Sequence, residues 1–197
     1  VEARYRSKDL LAKGAIVQRD KETYAIAPHI AGGIIDPAGL RRIADVAEKY
    51  NAKALKITSA QRIAIVGIDP KDIDDAWKDL GMKAGAAIGL CVRSIKICPG
   101  TTFCKRGQQD SVGVGLKLDE LYHGMQLPWK FKIGVSGCAN SCAEPAVKDI
   151  GLIGMSKGWK LLVGGSSGVK PRLGQMLAEN LSDEEVFVLI DRIIKYY

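Results

Sequence analysis

Cys98-Pro-Gly-Thr-Thr-Phe-Cys104 and Gly137-Cys138-Ala-Asn-Ser-Cys142 are the stretches on which the reading of this chain turns. Five residues separate the first pair of cysteines and three the second, while a fifth cysteine, Cys91, stands between Leu90 and Val92. An odd cysteine count argues against a disulfide framework, and two close pairs point to a metal centre. Structural zinc ribbons favour two residues between paired cysteines, because a tight knuckle turns both sulfurs onto one small ion. Intervals of five and three suit a wider object, an iron–sulfur cubane whose corners are reached from two separate loops. A single cysteine is ordinarily a small buried hydrophobe, which fits Cys91. The pairs lie in loops beside Pro99-Gly100 and Gly137 and do not fit that reading.

Working outward, Lys130 to Ser136 alternates Lys130, Lys132 and Gly134 with Phe131, Ile133 and Val135, the pattern of a strand. Ser111 to His123 has helical spacing at Val114, Leu118 and Leu121, and Asp149 to Gly154 and Trp159 to Gly164 read as two strands. Ser182-Asp-Glu-Glu185 is a capping box for a last helix that turns Val186, Leu189, Ile190, Ile193 and Ile194 inward. Upstream, Thr23 to Ala27 is β-prone, and Asp36-Pro37 caps an amphipathic helix over 37–50. Ala54 to Ile57 and Arg62 to Val66 are two strands joined by Thr58-Ser59-Ala60-Gln61. Asp69-Pro70 opens a further helix that Gly81 ends. Residues 1–68 therefore read as a small α+β unit and residues 69–197 as a second, metal-bearing one.

The chain has 197 residues, of which 47% are hydrophobic and 26% charged, the balance of a globular protein with a real core. Its 29 Lys+Arg against 22 Asp+Glu leave a formal net charge of +7. No apolar run approaches the ~20 residues that cross a bilayer. The first residues, Val1-Glu-Ala-Arg-Tyr-Arg6, hold no apolar core like that of a signal peptide. A cytoplasmic protein without membrane contact is expected.

The two cysteine motifs resemble those of the sulfite and nitrite reductases that couple siroheme to a 4Fe-4S cluster. Leu127-Pro-Trp-Lys130-Phe-Lys132 is similar to that family's basic strand, and Thr58-Ser59-Ala60-Gln61 to its upstream loop. The likeness runs from about Thr23 to the C-terminus and is closest to the compact, single-unit assimilatory-type sulfite reductases. It implies an α+β fold, with a ferredoxin-like half domain followed by a mixed-sheet siroheme and 4Fe-4S domain. It also implies that Cys142 bridges cluster and siroheme iron, while Cys98, Cys104 and Cys138 hold the other irons. Arg93, Lys130 and Lys132 fall on family positions that face the substrate. The alternation of Lys130 and Lys132 supports a shared direction independently, although Lys-x-Lys on a strand is ordinarily a solvated edge.

Ala60 stands where larger members of the family carry Arg. In an extended strand Arg62 faces the same side, so Arg62 is expected to supply the fourth positive group. Siroheme's carboxylates need donors and cations, for which Thr58, Gln61, Arg106, Asn140, Lys170 and Arg172 are the candidates. The run Gly164-Gly165-Ser166-Ser167-Gly168 could offer backbone N–H groups, although such a run is more often just a turn.

The expected function is six-electron reduction of sulfite to sulfide, with nitrite reduction to ammonia as the alternative. A non-catalytic iron–sulfur electron carrier needs only the four cysteines, and Arg93, Lys130 and Lys132 count against it. Nucleic-acid binding is suggested by the pI near 9.1, but no aromatic-basic module is present. The positive charge suits an anionic cofactor, an anionic substrate and an acidic ferredoxin-type donor. No flavin or nicotinamide module is visible, so electrons come from another protein; monomer and homodimer both remain open.

Overall fold

In the computed structural model, which describes residues 8–197, the chain divides between Gly89 and Leu90 into two units with separate cores. The first contains an antiparallel sheet of β1 (Ala15–Val17), β2 (Tyr24–Ile26), β3 (Ala54–Ile57) and β4 (Ile63–Ile68), in the order β1-β2-β4-β3. Its long helix α1 (Pro37–Lys49) starts where the sequence signals it. Asp36 Oδ1 accepts the Gly39 N–H at 2.7 Å, and Pro37 occupies a turn that needs no donor. Asp69-Pro70 first forms a short 3₁₀ turn over Pro70–Asp72, and α2 (Ile73–Leu80) follows before Gly81 in the left-handed region.

Ile73, Ala76 and Leu80 of α2 are fully buried in the same core as Tyr24, Ile26, Ile43 and Ile65. This places the division later than the boundary expected near Ile68. The apolar stripe of α2 is completed by the first sheet, a long-range contact that the cap signal at Asp69 does not encode. The strand β1 was not anticipated either, because Ala15-Ile-Val is too short to show a period.

The second unit is built on a mixed five-stranded sheet. Strands β5 (Lys96–Ile97), β6 (Ile133–Ser136) and β7 (Ile150–Met155) are parallel neighbours, and β8 (Gly158–Val163) and β9 (Gln175–Leu181) continue the sheet antiparallel. The helices are α3 (Gly100–Phe103), α4 (Ser111–Tyr122) and α5 (Asp183–Tyr196). The capping box of α5 is present as predicted: Ser182 Oγ accepts the Glu185 N–H, and Glu185 Oε2 accepts the Ser182 N–H. Val186, Ile190 and Ile194 of α5 enter a core that includes Leu118, Phe131, Ile133, Val135 and Trp159.

Two sequence expectations change here. The strand read over Lys130 to Ser136 begins only at Ile133, and the basic segment before it pairs through the isolated bridge of Phe131 with Val92. The edge strand β9 escaped notice because its residues are mostly exposed and lack apolar–polar alternation. Among the described residues no helix is long and apolar enough to cross a membrane.

Trp159 is fully buried, and its indole N–H donates to Asp183 Oδ1 at 2.6 Å, tying β8 to the first turn of α5. Trp159→Ala is expected to lower unfolding free energy by about 3–5 kcal/mol, measured by denaturant titration.

Candidate functional site

Because β5 and β6 are parallel and adjacent, the loops that follow them leave the sheet side by side. One loop begins at Cys98, whose N–H donates to the Val135 carbonyl at 3.0 Å, and passes through α3 to Cys104. The other begins at Gly137-Cys138. They meet backbone to backbone: a Cβ on Gly137 would lie 2.7 Å from both the Gly100 Cα and the Gln109 carbonyl oxygen. A Cβ on Gly100 would lie 2.3 Å from Ser111 Oγ, and one on Gly154 would lie 2.5 Å from the Gly137 carbonyl oxygen. Glycine is thus required sterically where the cysteine loops touch each other and the strand beside them.

This contact places polar groups on one of the sulfurs. The Gly137 N–H donates to Cys98 Sγ at 3.1 Å, and Ser111 Oγ lies 3.3 Å from the same sulfur. The Gly137 carbonyl accepts from the Gln108 and Gln109 N–H groups at 2.8 and 3.0 Å. Beyond Cys138 the chain turns through Ser141 and Glu144, both in the left-handed region at φ 54°. Buried Ser136 accepts the Ala143 N–H at 3.0 Å and holds this turn down. Cys98, Cys104 and Cys138 are half-buried, Cys142 is exposed, and all are free thiols.

At the opposite end of β6, about 13 Å away by strand rise, lies a cavity of about 330 Å³. Lys130, Lys132, Asp149, Arg172 and Tyr197 line it together with residues 164–167. A Cβ on Gly165 would lie 2.6 Å from the carbonyl oxygens of Ala146 and Lys148, so this wall also packs on backbone. Arg172 and Ser166 exchange backbone hydrogen bonds at 2.9 and 2.8 Å, which closes the loop between them.

The cavity is electrostatically loaded. Burial pushes the Lys132 ammonium below the ordinary lysine range, and repulsion from Lys130, Lys148 and Arg93 adds to this while Asp149 opposes it. Since the folded value lies below the unfolded one, the charged lysine costs stability, and stability rises as pH climbs through the window between them. An anion in the cavity reverses that cost. The Asp149 carboxyl is shifted the other way, upward, by burial.

The predicted site residues are therefore partly gathered. Lys130, Lys132 and Arg172 share the cavity, and Arg93 acts electrostatically on Lys132 while its N–H donates to the Phe131 carbonyl at 2.8 Å. Arg106 and Asn140 are exposed on the two cysteine loops, and Lys170 is exposed in the loop between Ser166 and Arg172. Thr58, Gln61 and Arg62 belong to the first unit. There the Thr58 N–H donates to the Arg62 carbonyl at 2.8 Å, and Gln61 sits at φ 58°. The strand begins at Ile63, so Ala60 and Arg62 lie in a turn, and the two-residue alternation invoked for Arg62 does not operate. Arg62 Nη1 donates to the Gly85 carbonyl at 2.6 Å.

Sequence reading missed Asp149 and Tyr197 as cavity residues, and Glu144, whose carboxylate binds Lys96 at 2.9 Å and Lys148 at 3.2 Å. Asp149 before Ile150-Gly151 could be read only as a strand start, and Tyr197 follows the last apolar repeat of a helix.

The sequence model of the nitrite and sulphite reductase 4Fe-4S domain matches residues 88–197, and that of the nitrite/sulfite reductase ferredoxin-like half domain matches residues 16–83. The chain belongs to the nitrite and sulfite reductase family. It is 45% identical to the assimilatory-type sulfite reductase of Nitratidesulfovibrio vulgaris, over 94% of this chain and 85% of that protein. It is 39% identical to the NAD(P)H nitrite reductase of Bacillus subtilis over 93% of this chain, but over only 23% of that longer protein. The fold is shared with the Mycobacterium tuberculosis NirA protein, with a TM-score of 0.76 at 21% identity over 89% of this chain and 35% of that one.

As a member of this family the protein is an oxidoreductase with siroheme and a 4Fe-4S cluster as its cofactors. The donor set fits them: four reduced cysteines on two abutting loops, one sulfur already receiving an N–H, and a cationic cavity suited to carboxylates or a small oxyanion. Among the described residues no three cysteine, histidine or carboxylate side chains converge on a point as they would around a single ion.

Gly137→Ala forces a methyl group against backbone on two sides and is expected to spread the cysteine loops. Iron and acid-labile sulfide assays of anaerobically purified variant should then return less than half the wild-type content per chain.

Proposed function

We propose that the protein reduces sulfite to sulfide by six electrons at a siroheme coupled to the cluster. The observation that carries this reading is the cavity flanked by Lys130, Lys132 and Arg172, set one short strand away from Gly137-Cys138. The extent of the match to the assimilatory-type sulfite reductase, 85% of that protein's length, supports sulfite as substrate. Nitrite is the second reading, supported by the 39% identity to a nitrite reductase and by a cavity that suits either small anion.

Cys98, Cys104, Cys138 and Cys142 hold the cluster. The exposure of Cys142, alone among the four, supports its role as the thiolate shared with siroheme. When bound, siroheme and the cluster would relay the external donor's electrons to the anion. Lys130, Lys132 and Arg93 draw the anion in, orient its oxygens, and stabilise the negative charge that develops on them. Lys132 also holds a proton at Nζ that burial, and after it repulsion from its cationic neighbours, makes easier to release. Arg172 and the N–H groups of Gly165 and Ser167 hold a siroheme carboxylate, with Arg106, Asn140 and Lys170 as further cationic or polar partners of the cofactor.

An acidic one-electron carrier such as a ferredoxin is the donor best suited to a chain of net charge +7. Four thiolates that must stay reduced suit the cytoplasm. Both the monomer and the homodimer are compatible with this assignment.

The deciding measurement is the optical spectrum of anaerobically purified protein, with metal analysis and anion titrations on the same sample. Siroheme bands, about four non-haem irons per chain and a shift on adding sulfite are expected. A cluster spectrum that stays free of siroheme after reconstitution overturns the assignment. Lys132→Ala should retain the chromophore and lose roughly 10²-fold in turnover in a sulfite-dependent donor oxidation assay. Unchanged kinetics remove Lys132 from the site.

A further inference from the structure

We propose that Asp149 is the proton-linked acid of the anion cavity: its carboxyl gains a proton when an anion binds and passes it to an oxygen of that anion. The inference rests on the reading of the cavity as the anion site. A carboxylate is out of place on the wall of a pocket whose other charged residues, Lys130, Lys132 and Arg172, are all cations, since its charge repels the anion that they attract. Nor can it turn away. Asp149 Oδ2 accepts the Lys132 backbone N–H at 2.8 Å, its carbonyl accepts the Gly164 N–H at 2.9 Å, and the next residue, Ile150, donates to the Lys132 carbonyl at 3.2 Å. Both flanks of Asp149 are thus tied to the cavity walls.

The charged and titratable groups around it are Lys130 and Lys132 from the basic segment, Lys148 beside it in the chain, Arg172 from the loop, and Tyr197 just beyond α5. Lys130, Lys132 and the two N–H donors favour the ionised carboxyl, and burial outweighs them, so the group already sits above the ordinary carboxylate range. Lys148 has its ammonium on Glu144 at 3.2 Å. Tyr197 packs its ring edge-on to Phe131 at 4.8 Å, and burial with the nearby Asp149 charge holds the phenol in its protonated form. An incoming anion adds a negative charge within the same walls and raises the carboxyl further. Binding and protonation are therefore coupled, and by linkage the anion binds more tightly as pH falls.

In the transfer step the carboxyl O–H bond breaks and its electron pair stays on Asp149. An O–H bond forms on the anion, whose charge becomes one unit less negative, and solvent reprotonates Asp149. No electron moves in this step. It prepares the oxygen to leave as water in a reaction whose electrons come from the external donor. Lys132 cannot serve as readily as both anchor and acid, because each proton it gives up removes the charge that holds the anion.

The test is calorimetric titration of the oxidised holoprotein with nitrite, without electron donor, near neutral pH in two buffers of different ionisation enthalpy. Nitrite keeps its single charge there, so any proton taken up belongs to the protein. Wild type should take up a measurable fraction of a proton per nitrite. Asp149→Asn, whose amide oxygen can still accept the Lys132 N–H, should bind nitrite with that uptake abolished and a flatter dependence of Kd on pH. Uptake retained in Asp149→Asn assigns the proton to Lys132 and overturns the proposal, as does the absence of uptake in wild type. Wild-type holoprotein that binds neither nitrite nor sulfite instead overturns the reading of the cavity, and the proposal with it. Infrared difference spectra of wild type give a readout independent of any variant: nitrite should bring up a protonated carboxyl band that shifts in D₂O, and its absence sinks the idea.

Discussion

Two loops that carry the cysteines touch through hydrogen atoms where any other residue would place carbon. A Cβ would lie 2.3 Å from Ser111 Oγ if placed on Gly100 and 2.7 Å from the Gly100 Cα if placed on Gly137, so the second cysteine loop packs directly on the first. The parallel pairing of β5 with β6 makes this possible, since it sends both chains off the same end of the sheet. The hydrophobic core under the sheet then fixes the strands, with Ile133, Val135 and Leu118 all essentially inaccessible. Packing in the second unit is in this sense the scaffold of the four-thiolate site we propose, and the N–H donated to Cys98 Sγ is a direct product of the same contact.

Electrostatics organise the other end of β6. Lys130, Lys132 and Arg172 converge on one cavity, and the shifts of Lys132 and Asp149 run in opposite directions. Each reflects the cost of keeping a charge partly out of water. A cavity of this kind is poised for negative charge before any arrives. The repulsion among its cations is the stabilising energy that an anionic cofactor or substrate recovers on binding. Elsewhere in the unit Glu144 holds both Lys96 and Lys148 and is itself pulled below the usual carboxylate range.

How much of this was legible in the sequence depended on whether the signal was local. Asp36-Pro37 and Ser182 to Glu185 start helices where expected, because a cap is a contact between residues three apart. The boundary near Ile68 came out too early, because α2 completes its burial against strands distant in the chain. Lys130 and Lys132 do share a cavity, although regular pairing starts only at Ile133 and a bridge at Phe131 sets their course. The alternation argument for Arg62 failed because Gln61 turns the backbone through the left-handed region.

By itself the amino-acid sequence determined the chemistry: four cysteines at intervals too wide for a single small ion, a basic segment before the second pair, and two α+β units in series. These follow from residue type and spacing, which a linear chain states outright. Only the tertiary structure decided which groups share a cavity. Asp149 faces Lys132 across 17 positions of sequence, through a hydrogen bond between the segment ahead of β6 and the start of β7. Tyr197 joins them from beyond the last helix. Such neighbours are chosen by strand order and by the burial of distant apolar faces, and no local pattern of residues records them.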